Sequence, residues 1–262
     1  MKKIMVAMRL WLAGAVLFAL RLVQLRTGFD PATGLALPSP AGTSVWVGLL
    51  LCLAVEAALC FRRPGGHKRS YVHCFGALEG PGLLAAGSFL LIAGGALLLV
   101  SALPPQDAVA FVTIVAGLLG AAGGAGLLLL ARELRGGEVP SVFPLLPVMF
   151  FSVLFLLSVY FPEESNPVLQ QFYLQVLAAA MAGYFLYQLS GFFRREGSLR
   201  WFGLAADLAV IVCVAAAADC LHEPGRLLTH LGFAVVATVF LLLRRTEPLP
   251  EEPVKAEKAE NP

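Results

Sequence analysis

Charge is what this chain has least of. Only 14% of its 262 residues are Asp, Glu, Lys or Arg, while 58% are hydrophobic; a soluble domain carries about 25% charged residues. So little charge cannot furnish a water-facing surface of this size, so lipid must cover much of the exterior. The five cysteines, Cys52, Cys60, Cys74, Cys213 and Cys220, form no CxxC pair, which argues against a disulfide framework or a zinc site. No P-loop, G-x-G-x-x-G, H-E-x-x-H or G-x-S-x-G run occurs, so no nucleotide, zincin or hydrolase chemistry is indicated. Four histidines, His67, His73, His222 and His230, are not placed across a bundle as haem ligands would be. No cofactor, metal or nucleic acid is therefore expected.

What is abundant is long apolar runs. A spanning helix needs about 20 mostly apolar residues, because each residue rises about 1.5 Å across a core about 30 Å thick. Eight stretches qualify: 5–25, 44–61, 82–103, 109–131, 144–161, 172–193, 202–221 and 227–243. Pro- and Gly-rich steps such as Pro104-Pro105 and Pro224-Gly225 punctuate them. The expected fold is an all-α, polytopic transmembrane helix bundle of eight spans over residues 1–245. The tail 246–262, rich in Pro, Glu and Lys, is expected to be disordered and cytoplasmic.

Orientation follows from Lys and Arg. Alternate segments, beginning with Lys2 and Lys3 and ending with Arg244, Arg245, Lys255 and Lys258, hold 15 of the 19 basic residues. The positive-inside rule then puts both termini in the cytoplasm, and an odd number of spans would spoil the alternation. Asp30 and Gly34 in the first loop resemble that loop in polytopic bacterial proteins. That resemblance implies a setting, the bacterial cytoplasmic membrane, and no function. Phe61-Arg62-Arg63 and Phe193-Arg194-Arg195 close the second and sixth spans, which raises two parallel four-span halves as an alternative organisation.

Small residues predict packing. Span four holds Ala116, Gly120 and Gly124 four apart, and span three holds Gly87, Gly94 and Ser101 seven apart. With only Pro104 to Ala108 between them, these spans should form a tight antiparallel hairpin through those stripes. In the long loop 62–81, Ser70 to Leu78 reads as a short interfacial helix.

Ionisable groups at membrane depth mark candidate sites, because they must face the bundle interior or water. Arg9, Glu56 and Asp207 each lie about 9 Å inside the basic boundary at 1.5 Å per residue, so they can form one ion cluster. Arg9 with Glu56 alone, as a neutralising pair, is the simpler reading. A second group gathers at the opposite side: Arg21 and Gln24 on one face of span one, Gln175 on span six, and Asp219, His222 and His230 around the turn into span eight. It reads either as a pocket for a small polar or anionic solute or as an Arg21–Asp219 brace. His-x7-His is not a metal spacing.

Three functions follow. The first is non-catalytic binding or transport of a small solute through a cleft between helices. The second is an accessory or structural role, organising other membrane proteins. The third is an intramembrane enzyme acting on lipid, with Glu56 or Asp207 as base. A water-filled cleft reaching the charges favours transport; a solid interior with the charges paired favours the structural role.

Overall fold

The computed structural model describes residues 2–30, 35–37, 39–62, 69–76, 82–135, 140–163 and 172–245. Among the described residues eight helices are long and apolar enough to cross a membrane, the one at Phe143–Tyr160 counted with its leading 3-10 turn. They are α1 (Lys2–Thr27), α2 (Pro40–Phe61), α4 (Gly82–Ser101), α5 (Ala108–Arg135), α6 (Leu146–Tyr160), α7 (Tyr173–Phe193), α8 (Leu199–Ala216) and α9 (Pro224–Leu243), with a four-residue helix α3 (Tyr71–Cys74) after α2. No strand occurs among the described residues; the tail 246–262 lies outside them.

The helices begin and end for local reasons. Ser39 caps α2, its hydroxyl accepting from Gly42 N, with Pro40 at the first position. α8 stops at Ala216, short of the expected 221. Amides of Ala218, Asp219 and Cys220 each bond three residues back, tightening the chain into successive turns. Pro224, which lacks an amide, then opens α9.

Six helices close a ring: α4 packs on α5, α5 on α6, α6 on α7, α7 on α8, α8 on α9, and α9 returns to α4. α1 and α2 lie outside it, seated mainly on α8 and on each other. This grouping differs from a division of the chain at its midpoint, since α2 scarcely touches α4 whereas α7, its counterpart in the second half, packs broadly on α8. Helix α8 is the most enclosed of the spans.

The expected hairpin is present, and α4–α5 is the most extensive helix contact. Its glycines are not all those the sequence suggested. A Cβ on Gly95 would stand 2.6 Å from Gly117 O, and one on Gly124 would stand 2.6 Å from Ser88 O. The stripe of Gly87 and Gly94 faces α9 instead: their Cβ positions meet Val236 Cγ2 at 2.9 Å and Thr229 Oγ1 at 2.6 Å. Ser101 is exposed. α4 has two antiparallel neighbours, and the stripe serves the second. Helix α5 is thin on two sides, because Gly123 and Gly126 abut Val148 and Pro144 at the start of α6.

Aromatic side chains pack at the middle of the ring and at one end. Phe151, Phe155 and Phe233 cluster between α6 and α9, near the midpoints of those spans. At the basic end Phe75 meets Phe192, Phe202 and Phe240 edge to face, with centroids 5.0, 5.2 and 6.3 Å away. Phe75 follows α3, so the segment expected at the interface is instead tucked under the bundle, with Tyr71, Cys74 and Phe75 buried; Leu78 lies outside the described residues. Backbone bridges Arg69–Gly197 and Phe75–Arg244 hold it there. Lys3 Nζ donates to Leu242 O at 3.0 Å, so α1 begins at the end of the bundle where α9 finishes.

Candidate functional site

Among the basic residues of α1, Arg9 and Arg21 lie furthest from its ends, and each is tied to a different element. At the basic end, Arg9 Nη2 donates to both oxygens of Glu56 on α2, at 2.7 and 2.8 Å. The Glu56 side chain is 4% exposed and that of Arg9 43%, so the carboxylate is enclosed while the guanidinium reaches outward. Asp207 is fully buried on α8. A Cβ on Gly14 would lie 2.8 Å from Val214 Cβ and 3.1 Å from Ile211 O. Counting back about a turn along both helices puts Asp207 level with Arg9. The three sequence candidates thus share one depth, and a bidentate ion pair joins two of them, Arg9 and Glu56.

At the opposite end, Arg21 is entirely enclosed. Its Nε donates to Asp219 Oδ1 at 2.5 Å and its Nη1 to Gln24 Oε1 at 2.8 Å. The guanidinium carbon stands 5.2 Å from the centroid of Tyr173, within cation–π range. The other ring in contact with Tyr173 is Trp46, stacked at 4.4 Å and 11°. Trp46 on α2, Tyr173 on α7, Arg21 on α1 and Asp219 in the α8–α9 turn therefore form one continuous column. Burial pushes the Asp219 carboxyl up to about 6, against the pull of Arg21, which acts through its charge and its hydrogen bond. Its second oxygen, Oδ2, has no hydrogen bond among the described residues.

The remaining candidates separate. Arg226 bonds Gln175 Oε1 at 3.3 Å and pairs with Glu223 at 2.9 Å. His222 is exposed. His230 is fully buried on α9, edge-on to Phe155 at 5.2 Å, and neither ring nitrogen has a hydrogen-bond partner among the described residues. Asp219, His222 and His230 therefore do not form one cluster. Among the described residues no three His, Cys, Asp or Glu side chains converge as metal ligands would. Trp46 and Tyr173, central to the column, escaped the sequence reading, which looked for charge and amide groups within spans.

No family model matches this chain, and no curated protein and no solved structure matches it.

Proposed function

We propose that this multi-pass membrane protein is a non-catalytic accessory component, a packed bundle whose lipid-facing surfaces organise other membrane proteins. The carrying observation is that the two basic side chains set deepest in α1 are paired within the chain, Arg9 with Glu56 and Arg21 with Asp219. The phenylalanine clusters at mid-span and at the basic end support the same reading, since they occupy space a solute path would need. Large apolar side chains remain exposed on the outer helices, among them Met8, Leu12, Val100 and Phe111. Such surface suits lipid or a partner helix. The setting that fits is a bacterial cytoplasmic membrane with both termini inside.

One observation favours a second reading, a solute site at the end opposite the basic residues. His230 and Asp219 Oδ2 are buried polar groups without hydrogen bonds among the described residues, and such groups often mark a place where something binds.

Cysteine accessibility separates the two. Single cysteines at Asp207 and His230, in a chain lacking its native cysteines, are treated with a charged, water-soluble thiol reagent in intact membranes. The packed accessory role expects both to stay unlabelled. Labelling at 230 from one side supports the solute site, and labelling at both 207 and 230 sinks the accessory role in favour of transport.

A further inference from the structure

We propose that the groove between Leu37 and the first turns of α2 is a lipid site. It takes the headgroup and upper chain of a phospholipid without net charge, headgroup against Ser39 and Thr43, chain along Trp46, Val47 and Leu50. The groove has a volume of about 240 Å³ and is lined by those residues with Leu37 and Gly42. That is below the roughly 300–1,000 Å³ of pockets that enclose a whole small ligand. It suits part of a larger molecule whose remainder lies outside.

The bilayer is the source of the occupant because α2 spans it and packs mainly on α1 and α8. Trp46, Val47 and Leu50 are 41%, 49% and 62% exposed, so on a spanning helix they are covered by lipid. Polarity along the groove runs in the order of a phospholipid. The two hydroxyls sit at the start of the helix, and the apolar residues follow toward the middle of the span. Both hydroxyls can still donate or accept. Ser39 Oγ accepts from Gly42 N at 3.2 Å, which leaves its own proton. Thr43 Oγ1 reaches Ser39 O only at 3.4 Å, a weak bond that a phosphate or glycerol oxygen can replace.

The wall is fixed in place. Trp46 stacks on Tyr173, and Arg21 lies against Tyr173, so the indole cannot fold into the groove without breaking the column. Charge decides the headgroup. Among the described residues no charged side chain lines the groove, and Arg21 is enclosed and paired with Asp219. An anionic lipid therefore gains nothing here over a zwitterionic one.

The test uses the full chain in nanodiscs, with phosphatidylethanolamine brominated high on its acyl chain titrated into unbrominated lipid. The signal of Trp46 is the difference between wild type and Trp46→Phe. Half-maximal quenching is expected at about threefold lower mole fraction than for randomly exchanging lipid, the order of one net hydrogen bond. Thr43→Val and Val47→Phe should each return it to the random curve, and brominated phosphatidylglycerol should show no greater preference than phosphatidylethanolamine. Quenching that follows the random curve in wild type overturns the proposal, as does a preference for the anionic lipid or indifference to both substitutions. If a variant fails to assemble, the wild-type titrations with the two lipids decide the matter alone.

Discussion

Arg21 is a cation with no route to water, so its partners carry its whole cost. Removing it as Arg21→Ala would strand the Asp219 carboxylate in an enclosed site. The expected loss is about 3–5 kcal/mol, typical of a broken buried pair. The double variant Arg21→Ala/Asp219→Ala should lose clearly less than the two single losses added together. Thermal unfolding in detergent of all four proteins checks this, and additive losses would mean the pair is not coupled. The Arg9–Glu56 pair is a different case, because Arg9 is 43% exposed and its long side chain can reach toward the headgroups. Asp219 also gives the chain a pH dependence. Its carboxyl is raised from 3.8 to about 6, so the folded chain holds this proton more tightly than the unfolded chain. The group's stabilising share is complete below pH 3.8 and is lost as pH rises through about 6. Stability against pH, compared with Asp219→Asn, should show a falling limb between those values that the variant lacks. The Arg21–Asp219 brace was legible in the sequence, since two opposite charges at one level call for each other. Tyr173 and Trp46 were not, because only the packing of α2 and α7 decides which aromatic ring lies over a guanidinium.

At the scale of the helices, glycine sets the distances. Gly95 and Gly117 each lack room for a Cβ because the opposing atoms are main chain, which cannot rotate away. Gly95→Ala should therefore force α4 and α5 apart and cost about 1–3 kcal/mol. Gly82→Ala, with nothing within 4 Å of the added carbon, should change little. A lowered midpoint for the first and an unchanged one for the second is the expected pair of melting curves; equal curves would refute the close approach. The hairpin itself was readable, because a short link and many small residues leave few alternatives. The assignment of each stripe was not: Gly87 and Gly94 are as suited to α9 as to α5, and spacing along one helix does not say which neighbour is closer. The end of α8 was misread for a similar reason. Ala217, Ala218 and Cys220 are apolar enough to extend a span, and the turns that end it are visible only in the backbone bonds.

Over the whole molecule, run length and the alternation of basic residues together predicted eight spans, and among the described residues eight helices of the right length are present. The ring of α4–α9 and the outboard position of α1 and α2 were not predictable, since apolar side chains pack on many partners with similar gain. That outboard position has a consequence for how the protein is made. α1 is synthesised first, yet Trp11 is held by Thr238 and Lys3 by Leu242 O, both in the last span. Asp219 follows Arg21 by 198 residues. At about 5–20 residues per second, a ribosome needs roughly 10–40 s to cover that interval. Glu56 emerges early enough to receive Arg9, but throughout this delay Arg21 must be tolerated by headgroups, by the insertion machinery or by a chaperone. The nascent α1 is therefore a waiting passenger, exposed to quality control until the α8–α9 turn arrives.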